Sequence, residues 1–137
     1  MILGLEETFI VGHDTFFDSV SPTCSFGVTF EDDLTTGYFY AVDTKPNLQI
    51  LDALHIYNNA EVIDRDEPSK IQIAWSHDGK ISSLLINNYC HAIFDFENKV
   101  GYCRNGFPES SGKWAKVQGR TLTDDIIDEI FRQTNNT

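Results

Sequence analysis

Three cysteines and four histidines are the side chains of this chain that could bind a metal ion or act as nucleophiles. The only adjacent pair is Cys90-His91, and one metal ion cannot easily take both, because successive side chains of a strand point to opposite faces. The spacings typical of zinc sites, such as C-x-x-C or H-E-x-x-H, do not occur in the sequence. We therefore expect neither a metal nor a cofactor.

A nucleophilic cysteine or serine needs a neighbouring base, and chain order leaves open that His13 or His55 approaches Cys24 or Cys103 in space. Asp52 lies three residues before His55; the two side chains would face opposite sides in a strand and could pair in a helix. No G-x-S-x-G, Walker or G-x-G-x-x-G motif is present. The sequence thus predicts no catalytic residue and favours a binding protein over an enzyme.

Carboxylates dominate the charged side chains, since 21 Asp and Glu against 10 Lys and Arg give a net charge of −11. Eight acids precede the first basic residue, Lys45, so −8 of this charge lies in the first third of the chain: Glu6, Glu7, Asp14, Asp18, Glu31, Asp32, Asp33 and Asp43. Such a field disfavours nucleic-acid phosphate and favours a basic protein surface. The acids around Glu31 lack the alternating ligands of an EF-hand, so a solvated turn and a docking surface are the two interpretations.

Tyrosines are the second indication of a binding surface, because Tyr is enriched in binding hot spots. Tyr38 and Tyr40 share one strand face, whereas Phe39 points the other way with Ala41 and is the expected core residue. The alternative is a sheet that is covered on both sides. We predict the following partner-binding residues: Asp14, Asp18, Glu31, Asp32, Asp33, Tyr38, Tyr40 and Asp43.

The elements that must position these residues are mostly strands of one domain spanning residues 1–137. Apolar and polar residues alternate along the chain, which predicts an α+β fold: an antiparallel β meander of seven or eight strands, as a sheet or a sandwich, and one C-terminal amphipathic helix. Predicted strands lie near 6–11, 24–31, 37–43, 49–57, 70–76, 81–87, 90–96 and 99–104. Leucine spacing also suits a helix at 48–57. The helix is predicted at 122–133 with Thr121 as its N-cap, followed by a frayed tail at 133–137.

The compartment predicted from the sequence is the cytoplasm. No apolar run reaches the length of a membrane helix, and residues 1–7 lack the positive region of a signal peptide. Three widely spaced cysteines also suit reduced thiols better than a disulfide framework.

Several short segments together resemble an uncharacterised bacterial family of small single-domain proteins of unknown function. They are residues 30–33 (FEDD), 36–41 (TGYFYA), 50–58 (ILDALHIYN), 75–79 (WSHDG), 94–96 (FDF), 101–104 (GYCR) and 107–108 (FP). The resemblance spans roughly residues 25–108. It implies a bacterial, single-domain origin and assigns no site residue.

The hypothesis that charge favours is an immunity protein or antitoxin, which would bind a basic toxin encoded next to it, for example a nuclease, and cover its active site. An alternative is a ligand-binding or regulatory sensor domain, with a pocket between sheet and helix where His55, Tyr57 or Trp75 orients a metabolite. The third is an enzyme without a recognised motif. The oligomeric state is left open.

Overall fold

The computed structural model describes residues 1–108, 114 and 120–135, and this part of the chain forms nine strands, a short 3-10 helix and one α-helix. The strands are β1 (Ile2–Phe9), β2 (Thr15–Val20), β3 (Phe26–Asp32), β4 (Thr36–Asp43), β5 (Gln49–Asn58), β6 (Ser69–Trp75), β7 (Ile81–Ile86), β8 (Tyr89–Asp95) and β9 (Val100–Cys103). The 3-10 helix is Asn59–Glu61, and the α-helix, α1, is Asp124–Asn135.

The strands form two antiparallel sheets. One has four strands in the order β2-β3-β4-β5, and the other has five strands in the order β1-β6-β7-β8-β9. The predicted α+β fold, mostly antiparallel β with one C-terminal helix, is confirmed. The chain meanders from β2 to β5 and again from β6 to β9, but β1 pairs with β6 instead of β2.

The two sheets pack face to face, and their inward side chains form the main core. Phe9 packs edge-on against Phe30 at 5.3 Å between ring centroids, and Phe39 stacks on Phe94 at 5.1 Å. Trp75 of the five-stranded sheet donates its indole N–H to Ser19 Oγ of the four-stranded sheet at 3.0 Å. Because side chains alternate along a strand, this inward set also determines which residues of β2–β5 point outward.

Strand β2 is the element that the sequence pattern missed. Its outward residues Phe16 and Val20 are 62% and 55% exposed, whereas Ser19 points into the core. The usual alternation of apolar inward and polar outward residues is therefore absent from this edge strand. In contrast, the ambiguous segment at 48–57 is a strand, β5.

Helix α1 packs on the outer side of the five-stranded sheet, where Ile130 and Leu122 contact Cys90 and Ile93. Its N-cap is Thr123, whose hydroxyl accepts the Ile126 N–H at 3.2 Å. The prediction of Thr121 as the N-cap is wrong, because residues 120–122 still pair with β9 through backbone hydrogen bonds. The helix continues to Asn135, so the first three residues of the tail predicted to fray are helical, and residues 136–137 lie outside the described part.

No helix within residues 1–108, 114 and 120–135 is both long and apolar enough to cross a membrane.

The fully buried carboxylate of Asp32 holds one end of the four-stranded sheet together. Oδ2 accepts the Gly12 N–H at 2.7 Å and the Tyr57 hydroxyl at 2.6 Å, and Oδ1 accepts the Leu34 N–H at 2.9 Å. These donors belong to the β1–β2 loop, β5 and the β3–β4 turn, respectively. Gly37 leaves room for the Tyr57 ring, because a Cβ at this position would lie 2.6 Å from it. Asp32 therefore connects three segments that support the outward residues.

We expect Asp32→Asn to lower the free energy of unfolding by about 3 kcal/mol, because in either orientation the amide NH2 would face at least one of the three donors, Gly12, Leu34 and Tyr57, that now bond the carboxylate. Urea denaturation followed by tryptophan fluorescence measures the change. The matched control is Asp14→Asn, which alters charge equally at an exposed position and is expected to have little effect. Equal denaturation midpoints for the two variants would contradict the role of Asp32.

Candidate functional site

The outward side of the four-stranded sheet carries the candidate site, and we call it the outer face. The strand register places its residues in three rows that run across the sheet, each with one residue from β2, β3, β4 and β5 in that order. The rows are Phe16, Glu31, Tyr38 and His55; Asp18, Thr29, Tyr40 and Ala53; and Val20, Gly27, Val42 and Ile50. Of the predicted partner-binding residues, the structure thus brings Asp18, Glu31, Tyr38 and Tyr40 together. None of the residues in these rows is a lysine or an arginine.

A strip of aromatic rings crosses the outer face and continues beyond its β5 edge. Tyr40 stacks on Tyr38 at 5.9 Å with an interplanar angle of 18°, and Tyr38 meets His55 edge-on at 5.4 Å. His55 in turn meets Phe107, which is 56% exposed, at 5.8 Å. Four neighbouring rings therefore present a continuous, partly exposed surface, the kind of surface that anchors a protein partner.

His55 is held in one orientation by hydrogen bonds to both ring nitrogens. The Asn105 side-chain amide donates to Nδ1 at 2.8 Å, so Nε2 carries the hydrogen and donates to Asn58 Oδ1 at 3.0 Å. The backbone N–H of His55 also donates to the carbonyl of Phe107 at 2.9 Å. These bonds fasten the segment after β9 along the edge of β5 and fix the end of the aromatic strip.

The carboxylates of Asp18 and Glu31 flank the tyrosines and have neither an ion pair nor a hydrogen bond to any described residue. Asp18 is exposed and Glu31 is half-buried. Burial raises the pKa of the Tyr40 hydroxyl, and the nearby Glu31 charge raises it further. The tyrosines therefore lie in a negative field.

The remaining predicted residues lie elsewhere or have other roles. Asp32 is completely buried and bonded to three internal donors, so its prediction as a partner contact is wrong. Asp33 accepts the backbone N–H groups of Thr35 and Thr36 in the β3–β4 turn, which lowers its pKa. Asp14, which is exposed, lies at the same end of the sheet. Asp43 lies at the opposite end and accepts hydrogen bonds from Ser25 and from the backbone of Lys45.

Basic residues pair with acids on the other side of the molecule. The exposed or half-buried ion pairs of the described residues join the five-stranded sheet, its turns and α1: Lys70–Glu6, Lys80–Glu97, Arg104–Asp124 and Arg132–Glu129. A fifth pair, Arg120–Asp52, is buried. Lys45 is the one Lys or Arg among the first 64 residues, and none of the ion pairs of the described residues includes an acid of the outer face.

The outer sides of the two sheets also differ in whether another element packs on them. The apolar side of α1 covers the outside of the five-stranded sheet. Within the residues that the structure describes, no element covers the outer face, where Phe16, Val20 and Ile50 are more than half exposed. Exposed apolar side chains gathered on one uncovered face, with charged residues among them, favour a protein-binding surface.

One cysteine and one histidine are connected through an asparagine. Cys103 Sγ lies 3.2 Å from Asn105 Oδ1, and Asn105 bonds His55, so a cysteine, an asparagine and a histidine are linked. However, Cys103 is fully buried, and burial raises its pKa, whereas a nucleophilic thiol needs a lowered one. His91 stays neutral, because burial and the Arg104 charge lower its pKa to about 4. The described residues contain no group of three potential metal ligands.

Asp52, the acid nearest to His55 in sequence, points into the interior as a strand requires. The Arg120 guanidinium donates to both of its oxygens at 3.1 Å and to the Ala53 carbonyl at 2.8 Å. Burial raises the pKa of Asp52, while the Arg120 charge opposes this. This ion pair connects β5 to the segment before α1, so its role in the described structure is to hold these two segments together.

The three residues predicted to orient a ligand, His55, Tyr57 and Trp75, do not line a common pocket among the described residues. Trp75 is 1% exposed and packs in the core, and Tyr57 donates its hydroxyl to Asp32. His55 belongs to the aromatic strip. Two grooves, of about 470 and 410 Å³, are open to solvent, one beside the β1–β2 loop and the other beside the 3-10 helix.

Sequence reasoning missed Phe16 and Phe107 as parts of the site. Phe16 lies in the strand that the pattern did not predict, and Phe107 lies outside the sheet, so strand alternation carries no signal for it. The proline after Phe107 indicates a loop or turn at this point of the sequence, but it does not indicate that the Phe107 ring contacts β5.

One thiol is expected to react in the folded protein. Cys24 is exposed, whereas burial raises the pKa of Cys90 to about 11 and also raises that of Cys103. Titration with an aromatic disulfide reagent at pH 8 should give one rapid equivalent, none in Cys24→Ser, and three in denaturant. A second rapid thiol in the native protein would contradict this and reopen the question of a catalytic cysteine.

Comparisons with known proteins agree with the resemblance seen in the sequence. A family model described as "Uncharacterized protein conserved in bacteria (DUF2251)" matches residues 9–131, beyond the 25–108 of the short segments on both sides. An "Uncharacterized protein" of Haemophilus influenzae is 42% identical over 115 residues, covering 78% of this chain and 68% of that protein. No solved structure matches. The chain therefore belongs to the bacterial family DUF2251.

Proposed function

We propose that this chain is an acidic binding protein that uses the outer face to bind a basic protein and block its action. The observation that carries the proposal is the aromatic strip of Tyr40, Tyr38, His55 and Phe107, flanked by the carboxylates of Asp18 and Glu31, which pair with no described residue. Burying such rings against a partner provides affinity, and the carboxylates select for positive charge.

The rigidity of the surface supports binding in place of chemistry. The aromatic strip lies on a sheet whose inward side chains form the main core, and both His55 ring nitrogens already have partners. A surface that is ordered before binding loses little conformational entropy when the partner docks. A proton-transferring histidine, in contrast, needs a nitrogen that is free to reach substrate.

The partner that we propose is a toxin encoded next to this chain, with this chain as its immunity protein or antitoxin in the cytoplasm. A nuclease fits this role, since an enzyme that attracts phosphate through basic residues also attracts a carboxylate-bearing surface. The net charge of −11 favours fast association, which matters for an inhibitor that must act before damage accumulates.

The first test is expression of the adjacent open reading frame with and without this chain. We expect the neighbour alone to arrest growth, co-expression to restore growth, and the two proteins to co-purify. A neighbour that is harmless alone, or that arrests growth despite co-expression and does not co-purify, would contradict the proposal.

Substitutions in this chain, measured by calorimetry with the purified neighbour, locate the interface. Tyr40→Ala is expected to weaken binding about tenfold or more in calorimetry, in line with the loss of a hot-spot ring. The matched control is Tyr89→Ala, which removes a 49% exposed ring from β8 in the other sheet and should leave affinity unchanged. Equal losses for both variants would mean that binding does not use the outer face.

A further inference from the structure

Strand β3 forms the floor of a shallow trough along the outer face. Its outward residues are Gly27, Thr29 and Glu31, so two of the three are short. Thr29 has Asp18 beside it on β2 and Tyr40 beside it on β4. Adjacent strands lie about 4.8 Å apart, so the backbones of the two walls are separated by roughly 10 Å.

The two ends of the trough differ. At one end Val20 and Val42 close over Gly27, since a Cβ there would lie 3.7 Å from the former and 3.3 Å from the latter. At the other end Glu31 lies opposite Tyr38. The open part is therefore centred on Thr29, with carboxylates on two sides and the stacked tyrosine pair on the third.

Carboxylates beside aromatic rings favour a ligand that is both positively charged and planar. A guanidinium presents a planar fork of N–H donors to carboxylates and stacks on aromatic faces, whereas an ammonium is a compact, strongly hydrated charge. A cation within about 6 Å of a tyrosine ring gains from the ring quadrupole. Among the described residues, no cation of the chain itself pairs with Asp18 or Glu31.

We infer that the trough over Thr29 receives an arginine side chain of the partner, packed against the stacked Tyr38–Tyr40 pair and bonded to Glu31 and Asp18. This inference rests on the proposed function and makes it more specific. It assigns the contact that determines partner choice to one basic side chain, with Phe16 on β2 and Phe107 beyond the β5 edge supplying apolar contact farther from it.

The test is an NMR titration of the isotope-labelled full chain with two capped pentapeptides, Gly-Arg-Gly-Arg-Gly and its lysine counterpart. The arginine peptide is expected to bind about threefold or more tighter than the lysine peptide, the size of an exposed cation–π contact. Chemical-shift changes should centre on Thr29, Glu31, Tyr38 and Tyr40. Equal affinities, or changes centred on α1, would overturn the inference.

Variants separate stacking from charge. Tyr40→Phe retains the ring and should keep the arginine preference, while Tyr40→Leu should abolish it. Glu31→Gln should weaken arginine binding about threefold or more, in line with the loss of a charge-assisted bond. Asp128→Asn, which removes an equal charge from exposed α1, should have no such effect. A loss of equal size in Asp128→Asn would mean that only net charge matters.

The same data distinguish this inference from the proposed function. If the neighbouring gene product binds tightly but Glu31→Gln and Tyr40→Leu leave both its affinity and the peptide preference unchanged, the arginine contact is wrong and the binding function stands. If the arginine preference is present but the neighbour neither binds nor harms cells, the trough stands and the proposed toxin is wrong.

Discussion

The face-to-face packing of the two sheets is the interaction on which the rest of the structure depends. Phe30, Phe39 and Leu54 point inward from β3, β4 and β5 and are fully buried against the five-stranded sheet. Because side chains alternate, Glu31, Tyr38 and His55 are forced outward by the same packing. The inward packing of the core therefore determines which side chains lie on the outer face. At one end of this sheet, the buried Asp32 carboxylate holds the strands and the adjoining loops together.

Asymmetry between the two sheets gives the molecule one distinct surface. The five-stranded sheet carries α1 and most of the ion pairs of the described residues, so its outer apolar side is covered and several of its charges are paired. The four-stranded sheet instead has partly exposed rings and acids that pair with no residue of the described part. Both properties lower the cost of burying this surface against a basic, partly apolar partner, since few internal bonds must break.

Much of the fold was predictable from the sequence, because strand alternation is explicit in β3, β4 and β6 and helical spacing is explicit in α1. The missed strand β2 shows the limit: Phe16 and Val20 face outward while Ser19 faces the core, so the alternation that identifies a strand is absent. Pairing of β1 with β6 joins segments some seventy residues apart, which local patterns do not encode.

The candidate site was predictable only in part. Tyr38, Tyr40 and Glu31 lie in strongly patterned strands, so their shared face followed from alternation. Asp32 was misjudged because acidic residues in a turn usually face solvent, whereas here Gly12, Leu34 and Tyr57 supply three donors from distant segments. Phe107 reaches the site through a loop position that only the folded structure defines.

Hydroxyl-radical footprinting of this chain, alone and with the purified product of the neighbouring gene, tests the central claim most directly, since aromatic side chains report their own exposure. The account predicts that oxidation of Phe16, Tyr38, Tyr40 and Phe107 falls in the complex while that of Tyr89 is unchanged. Protection of Tyr89 with unchanged oxidation across the outer face would contradict it.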